Sequence, residues 1–181
     1  GVAVFNAPYS NTRSVVELVI CDIICLMRRV PAHTHHLKHG LWDKSASGSH
    51  EVRGKTLGII GLGAIGSIVA NTAISLGMDV YGYDPFLSVD TALRLDRHVH
   101  VVKDINDLYK RADYVTLHIH YTGKTAHMID ADAIAAMKRG VRVINLARGE
   151  IVDDEAILAA LDTGKVAVYV TDFPNNRLLT A

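Results

Sequence analysis

The amino-acid sequence predicts an α/β domain built on a doubly wound parallel sheet, and three observations indicate this fold. From residue 56 onward, short β-rich runs alternate with helical runs, a rhythm typical of a parallel sheet with helices on both faces. The length of 181 residues corresponds to about one domain. With 49% hydrophobic and 21% charged residues, the chain can build one sizeable core, and a disordered chain is excluded.

Six segments have the composition of buried strands, and helical patterns separate them. The predicted strands are residues 56–60, 79–83, 99–102, 113–117, 141–146 and 166–170. The predicted helices are residues 64–76, 104–110, 130–137 and 155–161. Gly77 is a natural end for the first of these helices. Asp153 favours the start of the last one, because it caps the free N–H groups and places an acid at the positive end.

The residues before Gly54 do not follow this alternation. Residues 2–5 are predicted as a short strand and residues 13–29 as a long helix that Pro31 ends. The apolar positions of this helix cover nearly its whole circumference, so it is predicted to be buried on all sides, partly in a subunit interface. Residues 32–51 are polar and rich in histidine, with Trp42 as the one large packing residue. We call the polar segment after the helix the arm. We expect the helix and the arm, together residues 13–50, to form a homodimer contact.

A glycine motif at residues 61–66 carries the strongest functional signal. Gly61, Gly63 and Gly66 form G-x-G-x-x-G directly after a predicted strand and at the start of a predicted helix. In that context the motif is a dinucleotide-binding fingerprint. Gly61 permits the tight turn, Gly63 lets the backbone approach a pyrophosphate, and Gly66 lets the helix pack on the strand. The backbone N–H groups of Ala64 and Ile65 point at the phosphates from the positive helix end.

An acidic residue completes the fingerprint. Asp84 lies eighteen residues after Gly66, at the end of the next predicted strand. Its carboxylate can accept hydrogen bonds from the adenine-ribose hydroxyls and would repel a 2′-phosphate. The sequence therefore predicts a Rossmann-type domain that binds NAD rather than NADP.

Two further polar clusters follow predicted parallel strands, where ligands of open α/β sheets bind. Arg148 lies in the first, residues 145–149, and can clamp a carboxylate through two parallel hydrogen bonds. Asp172 lies in the second, residues 171–174, and can hydrogen-bond a nicotinamide carboxamide. From position alone, Arg148 can equally be a surface arginine, and Asp172 can equally begin a turn before Pro174.

Composition excludes several other functions. Nineteen basic and nineteen acidic residues give a net charge of zero, which argues against nucleic acid as the main partner. No apolar run is long enough for a membrane span. Cys21 and Cys25 are predicted as buried, reduced thiols, which favours a cytoplasmic location. A histidine cluster is read as a solvated helix end rather than a functional metal site, because no cysteine or carboxylate completes it. Its members are His33, His35, His36 and His39.

These motifs, in this order, resemble the D-isomer-specific 2-hydroxyacid dehydrogenases. The most specific stretches are residues 5–17, 57–66 and 145–153. The resemblance implies a role for each matching position. The implied cofactor contacts are Ala64 and Ile65 at the pyrophosphate, Asp84 at the ribose, His118 and Thr122 along the cofactor, and Leu146, Ala147 and Asp172 at the nicotinamide. Arg148 is implied as the catalytic-site arginine that holds the substrate carboxylate, and Asn11 as a residue that reaches the substrate.

The implied function is hydride transfer between NAD and a 2-hydroxy acid. Residues 5–17 favour those family members that act on 3-phospho-D-glycerate in serine biosynthesis. Two alternatives remain. One is a dehydrogenase of another acid, such as lactate, glycerate or formate. The other is a co-regulator whose association responds to NADH.

Three departures from the family pattern affect catalysis. His120 stands where the family has proline, and residues 173–177 contain no carboxylate where the family has a catalytic glutamate. The catalytic histidine is expected beyond Ala181. Residues 1–10 are therefore expected to be the tail of a substrate domain, and residues 11–181 the dinucleotide-binding domain of a two-domain enzyme. Such a chain is expected to bind cofactor without turnover.

Overall fold

The computed structural model describes residues 2–3 and 10–179, and half of the strand predicted at residues 2–5 lies outside this part. The described chain contains a six-stranded sheet with the order β3-β2-β1-β4-β5-β6, and all neighbouring strands are parallel. The strands are β1 (Thr56–Ile60), β2 (Asp79–Tyr83), β3 (His100–Val102), β4 (Tyr114–Leu117), β5 (Val141–Asn145) and β6 (Val166–Thr171). The strand order reverses between β1 and β4, which creates the crevice where such sheets bind ligands. The predicted Rossmann-type doubly wound sheet is confirmed.

Helices cover both faces of this sheet. They are α1 (Thr12–Met27), α2 (Val30–Lys38), α3 (Ala64–Ser75), α4 (Val89–Arg94), α5 (Ile105–Tyr109), α6 (Ala131–Ala136), α7 (Asp154–Asp162) and α8 (Asn176–Leu179). A 3₁₀ turn spans Gly149–Ile151. Asp153 begins α7 as predicted, since its carboxylate accepts a hydrogen bond from the Ala156 N–H at 2.9 Å. The prediction missed α2, α4 and α8, of which only α2 exceeds six residues.

Two hydrophobic cores lie on the two faces. On one face α1 and α3 pack against the sheet, and Ile23, Ile59 and Ala73 are fully buried there. On the other face Leu108 from α5 and Ile157 from α7 are fully buried against the sheet. The central strands β1, β4 and β5 are thus covered on both faces, which explains why they consist mainly of apolar residues.

The long first helix differs from its prediction in two respects. It ends at Met27, and Arg29 adopts a left-handed conformation with φ of 54°. Pro31 then lies in the first turn of α2, where its missing N–H has no helical acceptor to lose. Within the chain the helix is covered on one side only, because Leu18 is 42% exposed and Ile24 37% exposed. The subunit interface expected to cover the other side stays a prediction.

Trp42 is 71% exposed, so it packs little within this chain, and its packing in a subunit interface stays a prediction. The predicted burial of both cysteines was wrong. Cys21 is exposed and Cys25 half-buried, with their sulfur atoms 3.8 Å apart on one face of α1. Among the described residues, no three histidine, cysteine or acidic side chains are arranged to hold a metal ion. The helices of this part of the chain are also too short or too polar to cross a membrane.

Candidate functional site

The turn from β1 into α3 depends on two glycines. Gly61 has φ of +94°, and a Cβ there would lie 2.5 Å from the carbonyl oxygen of His118, which follows the neighbouring strand β4. A Cβ on Gly66 would lie 1.9 Å from the carbonyl oxygen of Gly61. Any larger residue at either position must therefore displace backbone. The close approach of α3 to β1 directs the start of the helix into the crevice between β1 and β4.

The third glycine borders open space. A Cβ on Gly63 would meet no atom within 4 Å. Gly63 is the residue that begins α3, and no side chain caps this helix end. Within the described chain, the N–H groups of Ala64 and Ile65 have no acceptor. Exposed N–H groups at the positive end of a twelve-residue helix form a binding site for a phosphate group.

Asp84 is held firmly at the end of β2. One carboxylate oxygen accepts a hydrogen bond from the Leu62 N–H at 3.0 Å, and the other accepts one from the Phe86 N–H at 2.9 Å. The half-buried carboxylate is therefore fixed beside the glycine turn. Each oxygen keeps a second lone pair, so the group can still accept hydrogen bonds from ribose hydroxyls. Its negative charge disfavours a phosphate at the same place.

His118 borders the glycine turn from β4. Its backbone N–H donates to the carbonyl oxygen of Ile60, and its ring Nε2 lies 3.0 Å from the Thr116 hydroxyl. Burial lowers the pKa of His118 to about 4, so the ring is neutral at pH 7. Thr122 lies further along the same connection, where its hydroxyl and N–H both contact Thr125. His120 is exposed, and its carbonyl oxygen accepts from the Thr125 hydroxyl.

The loop that carries Arg148 is organised by a residue that the sequence did not single out. Asn145 is fully buried, and its side-chain oxygen accepts from the N–H groups of Ala147 and Arg148. Its amide group donates to the Arg148 carbonyl oxygen at 2.8 Å and to the Tyr169 hydroxyl at 3.2 Å. The available signal was the position of Asn145, a polar residue that ends β5 directly before the Arg148 loop.

Arg148 itself is exposed and lies beside the loop after β6. Its guanidinium carbon is 5.7 Å from the centre of the Phe173 ring, while one of its N–H groups donates to the Ala147 carbonyl oxygen. Asp172 is exposed in the same neighbourhood. Burial, and secondarily the charge of Asp172, raise the pKa of Asp22 on α1. Because the Arg148 side chain contacts Phe173, which directly follows Asp172, the two loops meet at the carboxyl ends of β5 and β6.

The remaining predicted site residues are less closely connected. Leu146 and Ala147 are half-buried and pack against the two cores on opposite faces. Asn11 begins α1, is exposed, and makes no capping hydrogen bond through its side chain. Within the described residues, no hydrogen bond, ion pair or ring contact joins Asn11 to the other predicted site residues.

This arrangement is that of a dinucleotide site, and comparison with known proteins identifies the family. Residues 20–181 match the family described as D-isomer specific 2-hydroxyacid dehydrogenase, NAD binding domain. The chain belongs to this family. The resemblance noted in the sequence and the expected cofactor, NAD, are thereby confirmed.

Individual relatives agree with this assignment. The D-3-phosphoglycerate dehydrogenase of Haemophilus influenzae is 47% identical over 96% of this chain, and that of Methanocaldococcus jannaschii is 41% identical over 95%. These matches cover 42% and 32% of the two relatives. The structure of D-lactate dehydrogenase from Aquifex aeolicus, complexed with NAD and lactic acid, has a TM-score of 0.84 at 32% identity, covering 94% of this chain and 50% of that one. The dehydrogenase domain thus spans about a third to a half of the length of these relatives.

The residues present in the dehydrogenase domain fit NAD. The open space at Gly63 and the unpaired N–H groups of Ala64 and Ile65 suit the pyrophosphate. Asp84 suits the adenine ribose. The loops of Arg148 and Asp172 follow β5 and β6, on the same edge of the sheet as the glycine turn after β1.

We expect Asp84→Asn to weaken NADH binding about tenfold, because a charge-assisted hydrogen bond to the ribose contributes about 1.5–3 kcal/mol. The same change removes the charge that repels a 2′-phosphate, so the preference for NADH over NADPH should narrow. Fluorescence titration of the 181-residue chain with both cofactors measures this. Asp79→Asn, at the exposed start of the same strand, is the matched control. An unchanged preference in Asp84→Asn would show that Asp84 does not contact the ribose.

His118 makes stability depend on pH. In the unfolded chain histidine has a pKa near 6.5, whereas His118 in the folded domain remains neutral until about pH 4. The unfolded state therefore binds more protons between these values, and stability falls as the pH decreases, by up to about 1.4 kcal/mol per pH unit. We expect His118→Gln to reduce this loss, while His120→Gln, at an exposed position, retains it. Urea unfolding at several pH values from 7 downward provides the comparison.

Proposed function

We propose that this domain works in an NAD-dependent oxidoreductase that interconverts 3-phospho-D-glycerate and its 2-keto acid. The observation that carries the proposal is the higher identity to D-3-phosphoglycerate dehydrogenases, 41% and 47%, than to the D-lactate dehydrogenase of known structure, 32%. The reaction supplies intermediates of serine biosynthesis. An enzyme of central metabolism with reduced cysteines suits the cytoplasm.

The proposed roles of the residues follow from their positions. The residues at the start of α3 and Asp84 hold the cofactor, with His118 and Thr122 beside it and Leu146, Ala147 and Asp172 at its nicotinamide end. When bound, NAD⁺ accepts the hydride from C2 of the hydroxy acid. Arg148 holds the substrate carboxylate through two hydrogen bonds and so orients C2. Asn11 reaches the substrate from the other side of the cleft.

The 181-residue chain alone is proposed to bind NAD without turnover. Residues 1–10 are assigned to a substrate domain and residues 11–181 to the dinucleotide-binding domain. Among the described residues, Arg148 contacts Asn145, Ala147 and Phe173 rather than a histidine. His118 is held neutral next to the glycine turn. These observations support the proposal that the described residues do not supply the group that takes the hydroxyl proton.

We also propose that the domain forms a homodimer through residues 13–50. Leu18 and Ile24 on α1 and Ile68 on α3 are exposed apolar residues on this side of the domain. Leu41 and Trp42 in the arm are also exposed. Exposed apolar side chains that lie together favour a protein–protein interface. Sedimentation of the chain, with Leu18→Glu as the disrupting variant, distinguishes a dimer from a monomer.

The direct test is NADH oxidation by the full-length protein that contains this domain. The substrates compared are 3-phosphohydroxypyruvate, hydroxypyruvate, glyoxylate and pyruvate. A clear preference in kcat/KM for the phosphorylated keto acid supports the proposal. A preference for an unphosphorylated acid reassigns the substrate. NADH-driven association with no reduction of any keto acid identifies an NADH sensor instead.

A further inference from the structure

A basic cavity lies at the edge of the sheet opposite the cofactor site. It has a volume of about 220 Å³ and is formed where β1, β4 and β5 begin. Its polar lining consists of His50, Lys55, Asp113, Lys138, Arg139 and Arg142. The cofactor site lies at the other ends of the same strands, ~16 Å away for five residues of strand. The two sites therefore share the sheet but no side chain.

The cavity is positively charged, in contrast to the sequence as a whole. The whole sequence is neutral, yet four cationic side chains and a single carboxylate line the cavity, a surplus of three positive charges. The carboxylate of Asp113 is already engaged, because its oxygens accept from the Thr56 N–H at 2.8 Å and from the Lys138 ammonium at 2.9 Å. Asp113 therefore pairs with Lys138, and it also interacts with the charge of Lys55. A single carboxylate cannot balance four cations.

Two of these cations lack an acceptor. Arg142 is half-buried, and its guanidinium lies 5.3 Å from the centre of the Tyr114 ring, but no oxygen of the described residues accepts a hydrogen bond from it. The half-buried ammonium of Lys55 likewise has no acceptor within the described chain. By contrast, Arg139 donates to the Thr163 carbonyl oxygen at 2.7 Å. Partly desolvated donors of this kind gain most from an anion that accepts several hydrogen bonds.

From these observations we infer that the cavity is a binding site for a small phosphate dianion, either free phosphate or the phosphate group of a small metabolite. A tetrahedral anion offers several acceptors for Arg142 and Lys55, and Arg139 and His50 also line the cavity. The volume equals that of about seven water molecules at ~30 Å³ each, so a phosphate fits together with some of its hydration. The site is independent of the proposed reaction, and its test needs no turnover.

Calorimetric titration of the 181-residue chain with inorganic phosphate tests this inference. The titration is done with saturating NADH, so that the start of α3 is occupied, and at constant ionic strength. We expect phosphate to bind, and Lys55→Gln and Arg142→Gln each to raise its Kd at least tenfold. Lys103→Gln, an exposed lysine outside the cavity, should leave the Kd unchanged. Lys55→Gln carries the test if Arg142→Gln does not fold, because the Lys55 side chain makes no hydrogen bond in the described chain.

Further ligands separate the sources of the phosphate. Tighter binding of glycerol 3-phosphate than of inorganic phosphate indicates a metabolite, and the reverse indicates the free ion. The inference is overturned if acetate binds as tightly as phosphate, if both cavity variants bind phosphate like the unmodified chain, or if no phosphate binds once NADH is present.

Discussion

Replacing Arg148 with alanine is expected to lower kcat/KM for the 2-keto acid at least about a hundredfold in the full-length protein. Arg148 is exposed just after β5. One of its N–H groups donates to the Ala147 carbonyl oxygen, and the guanidinium has further N–H groups that can form two hydrogen bonds with a substrate carboxylate. Removing one member of a hydrogen-bonded charge pair costs about 2–5 kcal/mol, mostly because the other charge is left unpaired in a desolvated site. Steady-state kinetics with NADH as the reductant measures the loss.

The effect should be specific to the substrate. NADH binding by the 181-residue chain should not change in Arg148→Ala, because Asn145 holds the loop through the backbone of residues 147 and 148 rather than through the arginine side chain. Arg148→Lys keeps the charge but loses the paired geometry, so it should recover only part of the activity. Arg97→Ala, at an exposed position, is the control. Equal activity of Arg148→Ala and Arg97→Ala would show that Arg148 does not contact the substrate.

The parts of the fold that the sequence predicted well are those encoded locally. The bounds of β1 and β2 match the predicted residues 56–60 and 79–83. Gly61 directly follows β1 and Asp84 directly follows β2, and both residue types favour the end of a strand and the start of a turn. The glycine turn was equally readable, since the constraint on Gly61 and Gly66 comes from backbone atoms that any strand-turn-helix unit brings close.

What the sequence did not reveal depends on contacts between distant segments. Asn145 acts on the Arg148 loop together with Tyr169, and these two residues meet only because β5 pairs with β6. Burial raises the pKa of Tyr169, and its hydroxyl oxygen accepts the hydrogen bond from the Asn145 amide. Nothing in the local sequence around either residue specifies that pairing.

The surroundings and the end of the first helix could not be predicted for a different reason. An apolar helix indicates burial, but the sequence cannot say which surface covers each side. In this chain α3 and the sheet cover Val19 and Ile23, whereas Leu18 and Ile24 face outward. Pro31 was ambiguous in the same way, since proline both ends helices and begins them. The left-handed Arg29 decided between these two outcomes.

The same glycine-to-alanine change at two positions of the glycine motif should lower stability at one position and cofactor affinity at the other. Gly66→Ala places a methyl group 1.9 Å from the carbonyl oxygen of Gly61, so α3 must move away from β1. We expect a loss of about 3 kcal/mol or more in the free energy of unfolding, at the upper end for overpacked sites. Gly63→Ala meets no atom within 4 Å and should leave that free energy nearly unchanged. Thermal and urea unfolding of the two variants measure this difference.

Cofactor binding should separate the variants further. At Gly63 the added methyl group occupies the open space where the backbone N–H groups of Ala64 and Ile65 face a pyrophosphate, so NADH affinity should fall at least about tenfold in a fully folded chain. At Gly66 any loss of affinity should accompany the loss of stability. Gly123→Ala, in an exposed turn with no atom within 4 Å, controls for the loss of a glycine. If Gly63→Ala binds NADH like Gly123→Ala, the open space at the start of α3 is not where the pyrophosphate lies. If Gly63→Ala is instead as unstable as Gly66→Ala, the two glycines share one structural role, and the geometry of the turn has been misjudged.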